Sequence, residues 1–174
     1  MRERVLGSRT VFEGSILRLR VDEVEAADGH RSTREVIEHG GAVGVVCVHK
    51  GDVWLVRQYR HATEEILLEI PAGKLGPGED PDACARRELV EEIGLRPGRL
   101  EHLATYYTTP GFTNERFFLY YADDLEAAEG STDAGEVLEI ERRAARSARA
   151  LIGSGEVRDA KTLLGLAFLA LRES

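Results

Sequence analysis

The stretch from Gly73 to Leu95 constrains this chain more than any other, because 23 residues prescribe a loop, a helix start, a helix face and a helix stop. Gly73, Gly76, Pro77 and Gly78 favour tight turns and leave no room for a regular element. Asp80 then suits an N-cap, Pro81 the first helical position and Asp82 the positive end of the helix dipole. Gly94 reads as the C′ glycine that stops the helix, with Pro97 shortly after. Inside those caps Glu88, Glu91 and Glu92 stand at i, i+3 and i+4 and share one face, while Ala85, Leu89 and Ile93 form the core-facing stripe beside them. Like charges so close repel, a penalty that a divalent cation removes. Three glutamates alone read more readily as a solvated acidic face than as metal ligands. As ligands they are hard, all-oxygen donors that suit Mg²⁺ or Mn²⁺, or another divalent cation of that class, better than Zn²⁺.

The rest of the chain reads as a sheet with helices against it. Thr10 to His39 is strand-like, with a hairpin turn at Asp28-Gly29 and a return strand over Arg34 to Glu38; Ala42 to His49 is a near-continuous apolar strand of the kind buried on both faces. Val53 to Tyr59 and Ile66 to Ile70 are further strands that deliver the chain to Pro71-Ala72-Gly73. Past the helix, strands are expected over Leu100 to Tyr107, Phe117 to Ala122 and Val137 to Ile140. Thr108 to Glu115 reads as a polar loop and Asp123 to Gly135 as a mobile acidic one. Helices are expected over Arg142 to Ile152 and Asp159 to Leu171. At 174 residues the expectation is one α/β or α+β domain, with a β region over 1–40 and the main core over 41–174. A net charge of −8 disfavours nucleic acid or a membrane surface as partner. Cys47 and Cys84 read as buried small hydrophobes, and with no leader or membrane span visible a cytoplasmic location is expected.

In the pattern G-x5-E-x7-R-E-U-x-E-E-x-G-U, with U bulky and aliphatic, every fixed position is met by Gly73, Glu79, Arg87, Glu88, Leu89, Glu91, Glu92, Gly94 and Leu95. This resembles the Nudix hydrolase signature. The resemblance implies an α/β/α sandwich with a mixed sheet, and hydrolysis of a nucleoside diphosphate linked to another moiety by water and a divalent cation. It implies Glu88, Glu92 and Glu91 as metal ligands with the backbone carbonyl of Ala72, and leaves Glu79 and Arg87 a structural pairing. Thr109-Pro110-Gly111-Phe112-Thr113-Asn114-Glu115, Val56-Arg57-Gln58-Tyr59-Arg60 and Glu69-Ile70-Pro71-Ala72-Gly73 are similar to the ADP-ribose pyrophosphatase subfamily. Arg57, Arg60, Glu69, Gly111 and Glu115 are then the substrate contacts, although alone Pro110 is a turn former and the arginines are strand-end charges. The resemblance places the general base on the loop near Glu136, with Glu139 next and Glu91 after it. The expected activity is cleavage of ADP-ribose to AMP and ribose 5-phosphate; the alternatives are another nucleoside diphosphate sugar such as GDP-mannose, or a non-catalytic ADP-ribose sensor. Phe12, Ile16, Leu17 and Leu19 give the hairpin from Val11 to Val36 more apolar surface than a free arm should expose, and the subfamily packs this region across a two-fold axis, so a homodimer is expected.

Overall fold

The structure, a computed structural model, describes residues 2–129 and 137–172; Glu136 lies outside the described residues. Two compact units form, one of residues 1–41 with 106–117 and one of 42–105 with 118–174.

In the first unit β1 (Arg4–Glu13), β2 (Leu17–Glu25) and β3 (Arg31–His39) make an antiparallel sheet in the order β1-β2-β3. The Asp28-Gly29 turn forms where the sequence places it, Gly29 taking φ 85° and donating its N–H to the Ala26 carbonyl at 2.9 Å. Most of β1 escapes the sequence reading. Register shifts between Val5 and Gly7 and between Thr10 and Phe12 break its alternation, so no two-residue period marks it. The loop over 108–115 is stitched to β3: Ile37 N–H donates to the Phe112 carbonyl at 2.8 Å and His39 N–H to Asn114 Oδ1 at 2.9 Å.

In the second unit the sheet runs β10-β5-β4-β9-β8, with β6 paired to β5 and β7 to β4. Its strands are β4 (Ala42–His49), β5 (Asp52–Arg60), β6 (Glu65–Glu69), β7 (Ala72–Lys74), β8 (Leu95–Tyr107), β9 (Arg116–Ala127) and β10 (Leu138–Ala144). The helices are α1 (Pro81–Ile93), α2 (Ala148–Ser154) and α3 (Ala160–Arg172). β4 is apolar on both faces because both are covered. Val43, Val45 and Cys47 join Ala85, Leu89 and Ile93 of α1 in one core. The alternate residue Val46 meets α3, where a Cβ on Gly165 would lie 2.8 Å from Val46 Cγ2 and 3.4 Å from Ile70 Cδ1. Helix, sheet and helix therefore stack as three layers about β4.

Three expectations shift at their edges. β8 begins at Leu95, five residues early, because Gly98 lets the backbone pass Asp124 where a Cβ would sit 2.8 Å from the Asp124 carbonyl. β9 continues to Ala127, into the segment read as mobile. The helix expected from Arg142 starts only at Ala148: Arg142 lies opposite Trp54 in the ladder with its guanidinium 5.2 Å from that ring, which holds Arg142 to Ala144 in β10.

Candidate active site

α1 begins and ends as its sequence requires. Asp80 Oδ1 accepts from the N–H groups of Asp82 and Ala83, and Gly94 takes φ 66° and donates to the Leu89 and Val90 carbonyls. The Tyr120 hydroxyl donates to Asp82 Oδ1 at 2.6 Å and ties the first turn to β9. The preceding loop is stapled to the helix through Glu79, which accepts from Gly76 N–H at 2.7 Å and from Arg87 Nε at 3.0 Å. The hydrogen bond from Arg87, then that from Gly76, holds the Glu79 carboxyl down at about 2. The structural pairing of Glu79 with Arg87 is thus present.

The same arginine gathers the acidic face. Arg87 Nη1 lies 2.8 Å from Glu88 Oε1 and 2.7 Å from Glu91 Oε2, so one guanidinium offsets charges that would otherwise repel. Glu88 and Glu92 are buried and turn toward β7; Glu91 is partly exposed. The Ala72 N–H donates to Glu92 Oε2 at 3.0 Å. Gly73 receives the Glu88 carboxylate so closely that a Cβ there would lie 1.8 Å from Glu88 Oε1, which is why this position is glycine. Among the described residues no three His, Cys, Asp or Glu side chains are preassembled as a metal site. The donor set nevertheless fits a hard divalent cation, since two buried carboxylates one turn apart converge on Ala72-Gly73. Cys84 is no soft competitor: burial pushes its thiol up to about 12, and its Sγ accepts from Arg87 Nη2 at 3.3 Å.

The other expected site residues divide into groups. Arg60 and Glu69 come together, with Arg60 Nε and Nη2 donating to Glu69 Oε1 and Oε2 at 2.7 and 2.6 Å. Arg57 does not join them. It stands an odd number of residues from Arg60 on β5, hence on the opposite face, and pairs with Glu141 and, at 2.8 Å, with Glu156. Glu139 lies opposite Arg57 in the β5/β10 ladder and is exposed. Gly111 and Glu115 belong to the first unit, where Glu115 Oε2 accepts from Thr108 Oγ1 at 2.6 Å. Lys161, Asp159 and Thr162, beside Glu69, were not singled out from the sequence. Nothing local marks them, since the contact spans 92 positions in the chain. Gln58 is also new: only 9% exposed, between Val56 and Arg60 on β5, its side-chain amide makes no hydrogen bond among the described residues.

Comparison with known proteins adds to this geometry. The NUDIX domain family matches residues 38–163, and the nucleoside diphosphate sugar hydrolase N-terminal domain matches residues 3–37. The chain is 36% identical to an ADP-ribose pyrophosphatase of Bacillus subtilis (strain 168), covering 100% of this chain and 96% of that protein. It is 35% identical to a methanol dehydrogenase activator of Bacillus methanolicus, over 99% and 95% of the two. Among solved structures, an ADP compounds hydrolase superposes with a TM-score of 0.88 at 25% identity, covering 99% of this chain and 94% of that one.

Proposed function

Because this chain belongs to the Nudix hydrolase family, we propose that it cleaves the pyrophosphate of ADP-ribose to AMP and ribose 5-phosphate with a divalent cation, Mg²⁺ first. The observation that carries the reading is the convergence of buried Glu88 and Glu92 on Ala72-Gly73. These two carboxylates are the ligands of choice, with Glu91 and the Ala72 carbonyl completing the set. A cation held there would spread the charge of the diphosphate and make a bound water more acidic. Arg87 and Glu79 keep the loop and the helix face in register around it. Arg60, its fork already oriented by Glu69, is the first choice for a phosphate oxygen. Arg57, held by Glu141 and Glu156 on the other face of β5, is the second candidate for a phosphate oxygen. Gly111 and Glu115 remain candidates for the sugar or base. Glu136 is the proposed general base from its place in the sequence, with Glu139 next.

The match of residues 3–37 to a nucleoside diphosphate sugar hydrolase domain supports a second reading, a sugar nucleotide other than ADP-ribose. Incubating the protein and Mg²⁺ with ADP-ribose and with GDP-mannose separates the two. We expect AMP release from the first. Glu92→Gln is expected to lower turnover by about 10²–10³-fold, the scale of losing a group that stabilises transition-state charge. Glu136→Gln is expected to lower turnover without weakening metal binding. Hydrolysis of GDP-mannose alone moves the assignment to the second reading, and near-wild-type turnover of Glu92→Gln removes the metal site.

We also propose that the chain is a homodimer joined through its N-terminal sheet. The exposed Val11, Phe12 and Ile16 support it.

A further inference from the structure

Glu69 is only 1% exposed. Burial by itself raises its pKa, yet Arg60 and Lys161 outweigh that and hold the carboxyl below the usual range. Lys161 Nζ donates to the same Oε2 that accepts from Arg60 Nη2. Lys161 also lies 2.9 Å from Asp159 Oδ1, while Asp159 Oδ2 accepts from the N–H and, at 2.5 Å, the hydroxyl of Thr162. Thr162 Oγ1 in turn accepts from the Ile70 N–H at 2.8 Å. The first turn of α3 is thereby fastened to the end of β6, two residues before Ala72.

The charges around Arg60 give this clasp a purpose. Its guanidinium stands in the field of three carboxylates, Glu69 foremost, then Asp159, then Glu92. Left uncompensated, three carboxylates would cancel most of its attraction for a phosphate. Lys161 bonds to the first two of them. Meanwhile Arg60 Nη1 makes no hydrogen bond among the described residues, so the fork has one corner to offer a ligand.

We propose that Lys161 is a positioning residue for the diphosphate: by neutralising Glu69 and Asp159 from α3, it leaves the charge of Arg60 available to the substrate. This rests on reading Arg60 as a phosphate contact. ADP is the probe, because it carries the diphosphate whatever sugar the substrate bears. With Mg²⁺ present, calorimetry should show Lys161→Met weakening ADP binding about tenfold or more and Lys161→Arg restoring it to within about threefold. The double variant Arg60→Met/Lys161→Met should bind ADP no more weakly than Arg60→Met alone, since Lys161 then has nothing to act through. If Lys161→Met does not fold, Lys161→Gln, which keeps a donor to Glu69 without the charge, carries the same test. Unchanged ADP affinity in the single variant overturns the proposal, as do fully additive losses in the double variant, failure of Lys161→Arg to restore affinity, or a wild-type protein that binds no ADP. Absence of ADP-ribose hydrolysis with the expected ADP pattern intact removes the substrate reading and leaves Lys161 in place.

Discussion

Glu79 shows how a single side chain couples the loop to the helix, and it makes that coupling measurable. Its carboxyl titrates at about 2 in the fold against an ordinary 4.5, first through the hydrogen bond from Arg87 and then through the Gly76 N–H. A depressed pKa in the folded state means that the contribution to stability is full above pH 4.5 and is lost as pH falls toward 2. Thermal unfolding followed across that window should show the melting temperature falling with acid, and Glu79→Gln should flatten the part of the slope that Glu79 causes. An unaltered slope in the variant would assign the acid sensitivity to other carboxylates. Arg87 holds Glu88 and Glu91 as well, so the same variant loosens one arm of a guanidinium on which the acidic face depends.

At the scale of elements, two glycines in tight contacts predict opposite outcomes. An alanine at Gly73 would put its Cβ 1.8 Å from Glu88 Oε1, and only the carboxylate can move aside. Gly73→Ala should therefore cost about a hundredfold in turnover while changing unfolding free energy much less. At Gly165 the obstacles are Val46 and Ile70 in the core. Overpacking there costs about 1–3 kcal/mol, and the better helix propensity of alanine returns about 1 kcal/mol. Gly165→Ala should thus destabilise by about 1 kcal/mol, read from denaturant midpoints, with turnover kept. Loss of stability without loss of turnover at Gly73 would contradict the close approach of Glu88. The same elements show what the sequence made legible. The caps of α1, the doubly buried β4 and the Asp28-Gly29 turn follow from local rules and appear as expected. β1 and the true start of α2 do not, because a bulged register and a cross-strand Arg142–Trp54 contact are tertiary effects without a period in the chain. The site divides the same way. Its helix face is written in a 23-residue motif, whereas the Lys161 contact to Glu69 joins segments 92 positions apart.

At the scale of the whole molecule, the question is what covers the N-terminal sheet. β1 stands at the end of the order β1-β2-β3, ten residues long, and a strand edge of that length invites pairing unless something blunts it. Val5, Val11, Phe12 and Ile16 are each about half exposed or more in and beside it. Charge sets no barrier to a second copy here: residues 2–39 hold seven arginines against eight acidic side chains, so nearly all of the net −8 lies elsewhere in the chain. Two such sheets can therefore approach without the repulsion that the overall charge suggests, and the apolar area supplies the driving force. Light scattering at micromolar concentration should give twice the chain mass of 19.2 kDa, and Val11→Lys with Phe12→Lys should return the single-chain value. Those lysines put charge on apolar surface that is already exposed, so the monomer that results should stay folded by circular dichroism. A wild-type protein that is monomeric and fully active at that concentration would end the dimer proposal and leave the apolar strand edge to be explained by another partner.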